Sequence, residues 1–339
     1  MPYIADQETV AFVQSLPKTE THLHTDGALP MALLRQAFPG KFVEDPPMWA
    51  DDFRYTSFDH FMELIGHYVA PFFDSPDRFH AAAQQVLSDC KNQGCRYVET
   101  SIHLPALQYA GLDLDEVVAA VRSAKPEGME LRFFVGMSHD AYTGRGQELI
   151  DQALLHPGID GFDLHAEEYK PMEPWTERIW AEARANGKFT KAHAGEFMPA
   201  SFVTWCLDHL KVNRIEHGVR SIEDPELVRR LVAEGVTLDV CPISNVKLAV
   251  AGVPDMPSHP IRPLFDAGVR VTVNSDDPFM FGNTLSEDYY ALMQDLRFTK
   301  REIIQLVRNG WDVALMDEAA KAPHYAELDR IEATLPADD

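Results

Sequence analysis

Eight short, mostly apolar runs separated by longer amphipathic stretches constrain this chain more than any other feature. They are ETHLH (20–24), RYVETSI (96–102), LRFFVGM (131–137), GFDLH (161–165), KFTKAH (188–193), RIEH (214–217), VTLDV (236–240) and VRVTVN (269–274). Most carry Val, Ile, Leu or Phe without strict alternation, which is how strands covered on both faces read. The stretches between them, such as 77–92 and 224–235, place apolar residues at helical spacing. Strand–helix alternation predicts a parallel sheet, and eight repeats is the number that closes a (β/α)8 TIM barrel, an α/β fold. We read residues 1–339 as one such barrel domain. The surplus length falls in two places. A helical insertion after the first strand, roughly 39–75, is rich in aromatics and either adds core or covers the barrel mouth. Extra C-terminal helices are predicted over 286–297, 300–320 and 325–334.

Composition narrows the function. Hydrophobic residues at 45% and charged residues at 24% suit a full globular core rather than a disordered chain. The 53 Asp and Glu outnumber the 30 Lys and Arg, for a net charge of −23, and no basic block interrupts the sequence. That balance argues against nucleic acid and against anionic membrane surfaces as partners. No run approaches the ~18 apolar residues of a membrane span. The N-terminal stretch lacks a basic start followed by an apolar run, which predicts no signal peptide. The four cysteines, Cys90, Cys95, Cys206 and Cys241, form no C-x-x-C pair and are too few for a disulfide framework. A cytoplasmic setting follows as the expectation, with homo-oligomerisation left open.

A TIM barrel carries its chemistry where strands end, and four signals fall there. His22-Leu23-His24 ends the first strand, and residues i and i+2 share one face, so both imidazoles can address one centre. His193-Ala194-Gly195-Glu196 ends the fifth; Gly195 can turn the chain so that Glu196 reaches the cavity His193 faces, where a carboxyl is a plausible proton donor. Glu216-His217-Gly218 ends the sixth. Ser275-Asp276-Asp277-Pro278 follows the eighth. Each has a bland alternative when taken alone: a core histidine, a helix-start glutamate, or an Asp-Pro helix cap. Two adjacent carboxylates after a buried strand are nevertheless costly unless positive charge meets them. Taken together, the four lie at the ends of the first, fifth, sixth and eighth strands, which a barrel gathers on one face. Three neutral nitrogens and one carboxylate suit Zn²⁺ with room for a water, a combination that generates hydroxide near neutral pH.

Six segments now carry a resemblance: PKTETHLHTDGALP (17–30), RYVETSIHLP (96–105), HAGE (193–196), EHG (216–218), CPISN (241–245) and NSDDP (274–278). In this order they resemble the adenosine deaminase family of metal-dependent amidohydrolase barrels. The resemblance implies that His22, His24, His193 and Asp276 hold one zinc per chain and its water. It implies a protonated Glu196 that gives its proton to purine N1. His217 would orient or deprotonate the water and stabilise developing charge, while Asp277 would hydrogen-bond the ring, at N7. The implied reaction is hydrolysis of an adenine-type nucleoside to the 6-oxo purine and ammonia. Asp26 stands where nucleoside-acting members contact the ribose 5′-hydroxyl and free-base members tend to carry Glu. One departure is Ala166 in DLHAEEY (163–169), where the family usually has a Gly whose backbone N–H meets purine N3; Glu167 and Glu168 beside it put acid near the pocket. Free adenine, an N6-substituted purine and aminodeoxyfutalosine are alternative substrates for the same chemistry. An amide or ester hydrolase, and a non-catalytic binding protein, are alternatives of other classes. The cytidine-type deaminase pattern is half matched by His165-Ala166-Glu167, but no P-C-x-x-C follows.

Overall fold

The computed structural model describes residues 3–212 and 214–336. The expected strands form as β1 (Lys18–Glu20), β2 (Cys95–His103), β3 (Glu130–Met137), β4 (Gly161–Leu164), β5 (Phe189–Ala194), β6 (Arg214–His217), β7 (Thr237–Val240) and β8 (Arg270–Val273). They follow one another around a sheet in sequence order, each pair parallel. Helices lie between most of them, as right-handed parallel crossovers require. The result is the (β/α)8 barrel.

The first strand differs from its expected span of 20–24. Its ladder ends at Glu20 because the Thr21 N–H is taken by the Asn274 side chain at 2.8 Å rather than by a main-chain carbonyl. Leu23 and His24 then make single parallel bridges to Asp276 and Ser101. The barrel is therefore drawn together at this seam by the segments just past β1 and β8. The His24 N–H donates to the Asp276 carbonyl at 3.0 Å, and the Asp276 N–H to the His22 carbonyl at 3.2 Å.

Below that seam, the barrel interior holds a layer of charge. Arg214 donates to both oxygens of Glu99, at 2.9 and 2.5 Å, and to Asp239 at 3.0 Å. Lys191 pairs with Glu216 at 2.7 Å and donates to the Thr21 carbonyl at 2.9 Å.

The aromatic insertion covers the mouth. A helix over Phe58–Leu64, capped by the Ser57 hydroxyl, continues into a wide π turn at Ile65–Val69. Tyr55 Oη donates to the Met280 carbonyl at 2.7 Å, and Trp49 Nε1 to the Phe279 carbonyl at 2.6 Å. These bonds tie the insertion to the chain that follows Asp277. At the other end, the helix expected over 286–297 forms at Leu285–Asp295. The two expected over 300–320 and 325–334 form instead over Lys300–Val313 and Glu318–Ala333. The break falls earlier because distant groups capture Leu315. Its N–H donates to Tyr97 Oη at 2.9 Å, and its carbonyl accepts from Arg132 at 3.0 and 2.6 Å. Pro323 is accommodated inside the second helix. Among the described residues, no helix is long and apolar enough to cross a membrane.

Candidate active site

A cavity of about 500 Å³ opens at the C-terminal ends of the strands. His24, His193, Glu196, His217, Asp276 and Asp277 face it, with Asp26, Ala166 and the insertion's Phe58 and Phe61 on its walls. His22 is fully buried beneath. The nine residues singled out in the sequence are thus gathered at one place.

The centre is a set of ring nitrogens around one carboxylate. His22 Nε2 and His24 Nε2 lie 3.2 and 3.4 Å from Asp276 Oδ1, and 3.3 Å from each other. The His193 ring sits edge-on to His22 with centroids 4.8 Å apart. Ligand atoms of His22, His193, His217 and Asp276 all fall within 4.8 Å of one another, and those of His24, Asp276 and Asp277 form an overlapping group by the same measure. Geometry alone therefore offers four imidazoles to the same carboxylate, one more than the sequence-derived ligand set of His22, His24, His193 and Asp276.

Each group is fixed from behind. His22 Nδ1 faces the Asp239 carbonyl at 3.2 Å. His193 Nδ1 faces Asp163 Oδ1 and Glu216 Oε2, both at 3.0 Å. Both imidazoles meet acceptors there, so each carries its proton on Nδ1 and turns the Nε2 lone pair inward. His24 Nδ1 meets the Ser101 hydroxyl at 2.7 Å, and the Ser244 hydroxyl donates to Asp276 Oδ2 at 2.6 Å. Asp276, His217 and Ala166 all adopt left-handed backbone, with φ of +65°, +62° and +70°. Non-glycine residues held this way cost about 1–3 kcal/mol each and tend to gather at functional sites. The Ala166 value also explains why glycine suits that position.

Glu196 is aimed by its neighbours. Gly195, at φ +73°, turns the chain out of β5, and a Cβ there would lie 2.6 Å from Val203 Cγ2. The N–H groups of Glu196, Phe197 and Met198 then donate to the Glu168 carboxylate at 3.1, 3.1 and 2.6 Å. Glu168, read from sequence as acid near the pocket, instead lies behind this loop as its cradle. Glu167 pairs with Lys170 at 3.2 Å, and neither acid lines the cavity. Glu196 Oε1 makes no hydrogen bond among the described residues and lies 3.4 Å from His217 Nε2.

Burial, with Asp276 and Glu168 adding negative charge, pushes the Glu196 carboxyl well above its usual range. Asp277 is raised in the same way by burial and by Asp276. A Cβ on Gly27 would sit 1.5 Å from Asp277 Oδ1, so only glycine leaves that carboxyl its place. Asp26 Oδ2 accepts the His103 N–H at 3.2 Å.

The donor set fits a divalent metal. His22 Nε2 and His24 Nε2 converge 3.3 Å apart on one carboxylate oxygen, so a cation there would meet all three atoms. Burial pulls His24 down, but Asp277 and Asp276 outweigh it and raise it to about 9. Burial pushes Asp276 up, yet the surrounding imidazoles hold it well below the usual carboxylate range. The cluster attracts positive charge, and nitrogen with oxygen donors is the chemistry of a borderline transition metal.

Sequence reasoning missed most of the groups that back the site, among them Ser101, Asp163 and Ser244, and it misplaced Glu168. A polar Asp163 inside an apolar strand run was a usable signal; the others meet their partners only in three dimensions.

A parallel barrel with this buried imidazole and carboxylate cluster at its mouth defines a metal-dependent amidohydrolase. The family model described as adenosine deaminase matches residues 17–331. The chain belongs to that family, and it is a hydrolase acting on a C–N bond. Among curated relatives, an adenine deaminase of Sphingopyxis alaskensis is 32% identical over 96% of this chain and 98% of its own length. One of Sinorhizobium medicae is 35% identical over 92% of this chain and 98% of its own. A solved adenine deaminase from Arthrobacter aurescens superposes with a TM-score of 0.83 at 29% identity, covering 94% of this chain and all of that one.

Proposed function

We propose that this chain removes the 6-amino group of an adenine-type purine by hydrolysis, with free adenine as its first substrate, giving the 6-oxo purine and ammonia. The full-length likeness to proteins named adenine deaminase supports the base. The observation that carries the chemistry is a buried, proton-holding Glu196 without a hydrogen-bond partner for Oε1, set beside the imidazole and aspartate cluster.

His22, His24, His193 and Asp276 hold one Zn²⁺ in this reading. When bound, the ion supplies a Lewis acid that brings water towards hydroxide near neutral pH. The chain's own groups do the rest. An aromatic carbon bearing an amino group resists attack until a ring nitrogen is protonated, and Glu196 delivers that proton to N1. Asp277, also held protonated, donates to N7 and fixes the ring. His217 orients the attacking oxygen. The C6–O bond forms, one proton of the attacking water restores Glu196 and the other passes to the amino nitrogen, and the C6–N6 bond breaks to release ammonia. The aromatic insertion keeps bulk water from the ring.

A second reading keeps this chemistry and takes an adenine nucleoside. Two observations favour it: Asp26 stands on the cavity wall, and about 500 Å³ is more than a bare base fills. Among the described lining residues there is no Lys or Arg to meet a phosphate, so a nucleotide fits neither reading. Ammonia release from adenine, adenosine, an N6-substituted adenine and aminodeoxyfutalosine, with metal content measured on the same sample, decides. Adenine is expected to give the highest kcat/KM. A higher value for adenosine overturns the base assignment, and Asp26→Ala should then weaken adenosine while sparing adenine.

A further inference from the structure

Three of the four clustered imidazoles meet an oxygen at Nδ1; His217 alone meets an amide. Its Nδ1 lies 3.1 Å from Asn245 Nδ2. The far side of that amide, Asn245 Oδ1, lies 3.1 Å from His259 Nε2, and His259 Nδ1 accepts the main-chain N–H of Ile261 at 3.0 Å. Asn245, His259 and His217 are all buried.

The Ile261 N–H is the fixed point, because a backbone amide is always a donor. His259 Nδ1 must therefore carry a lone pair, and the proton of the neutral ring is on Nε2. A doubly protonated His259 would set N–H against N–H; burial agrees by pulling its pKa down to about 3. His259 Nε2–H must find an acceptor, which makes the facing Asn245 atom the carbonyl oxygen and fixes the orientation of the amide. The Asn245 amide nitrogen then donates to His217 Nδ1. Every link is set by the one before it.

We infer that Asn245 and His259 are positioning residues that lock His217 with its proton on Nε2, so that His217 faces the reaction centre as a hydrogen-bond donor, not as a metal ligand through that nitrogen and not as a general base. This sorts the cluster. His22 and His193 are backed by acceptors and turn lone pairs inward, whereas His217 is backed by a donor and turns a proton inward. The proton has no close partner there: Glu196 Oε1 is 3.4 Å from His217 Nε2, and Asp276 Oδ2 is 3.8 Å. It is left for the oxygen that attacks C6. Only that last assignment rests on the deaminase reading; the tautomer does not.

The test reads ring-nitrogen shifts of the zinc-loaded, ¹⁵N-histidine-labelled enzyme, with His217 assigned from His217→Gln. The expected His217 pattern is an unprotonated Nδ1 and a protonated Nε2. A protonated Nδ1, or an Nε2 showing metal coordination, overturns the proposal. Asn245→Asp replaces the amide donor with an acceptor and should move the His217 proton to Nδ1. With it, kcat on adenine should fall about 10–100-fold with little change in KM or metal content. His259→Gln keeps an N–H towards Asn245 and should retain the wild-type His217 pattern, while His259→Leu should lose it. Unchanged spectra in both Asn245→Asp and His259→Leu also overturn the proposal. If Asn245→Asp fails to fold, the wild-type spectrum and the His259 pair still decide. Should adenine prove not to be a substrate, the spectra stand unaffected, so the two readings fail separately.

Discussion

Glu99 in the charged layer inside the barrel and Glu196 in the cluster at its mouth are equally buried, yet their carboxyl groups are pushed in opposite directions. Burial pushes Glu99 up, but Arg214 and Lys191 outweigh it and hold the carboxyl below its usual range. Glu196 is as deeply buried, but its strongest charged neighbours are Asp276 and Glu168, so burial and repulsion act together and keep it protonated. The lesson is that at equal depth the neighbours decide which way these two acids are pushed. The two regions are also coupled. The Asp239 carbonyl backs His22, and Glu216, paired with Lys191, backs His193. An ion-paired layer thus serves as the seat for the imidazole and carboxylate cluster above it.

That contrast can be broken from either side. Glu196→Gln keeps the shape of the mouth but removes the proton donor proposed for it. Turnover should fall ~10²–10⁴-fold while metal content and substrate affinity persist; loss of metal in this variant would make Glu196 part of the seat instead. Glu99→Gln should do the reverse. It leaves Arg214 short of a carboxylate, and breaking a buried pair from one side costs ~3–5 kcal/mol of stability. Urea titration should show that loss, and kcat per folded molecule should stay near wild type. A fall in kcat matching that of Glu196→Gln would erase the distinction between the regions. Asp163→Asn probes the joint between them. It weakens the acceptor behind His193, and metal affinity should drop ~10–100-fold, read by competition with a chelator. Unchanged affinity would mean that Glu216 alone orients the ring.

The same contrast explains what the sequence disclosed. The eight strands were legible because burial on both faces writes a continuous apolar run, and the mouth residues because a barrel sends them to strand ends. The span of β1 was not, since a side chain, Asn274, interrupts its ladder from 253 residues away. Nor was the break at Leu315, which Tyr97 and Arg132 impose from 218 and 183 residues away. Glu168 looked like a pocket acid because a run of acids carries no sign of which way each side chain turns. Asn245 stood within CPISN without a readable task, since its partners His217 and His259 lie 28 and 14 residues off along the chain. The lean towards a nucleoside rested on Asp26, a single residue whose side chain the sequence could not place.

The smallest predicted effect separates the two regions by pH. His259 titrates near ~6.5 when unfolded and near 3 when buried. Between those values the unfolded chain binds a proton that the folded chain refuses. Its contribution to stability is therefore full above ~6.5 and is lost as pH falls, with a slope approaching ~1.4 kcal/mol per pH unit. Glu99, with its folded pKa depressed, also loses stability on acidification, but only as pH falls below its unfolded value of ~4.3. From pH ~6.5 down to ~5, the His259 term is thus the one of the two that changes. His259→Gln removes this titration and leaves the ionic layer intact. Urea midpoints of wild type and His259→Gln should differ less at pH 5 than at pH 7.5, because the wild type alone loses the His259 contribution. Parallel curves across that range would mean that His259 carries its proton in the folded protein, and the donor–acceptor order leading to His217 would have to be drawn the other way.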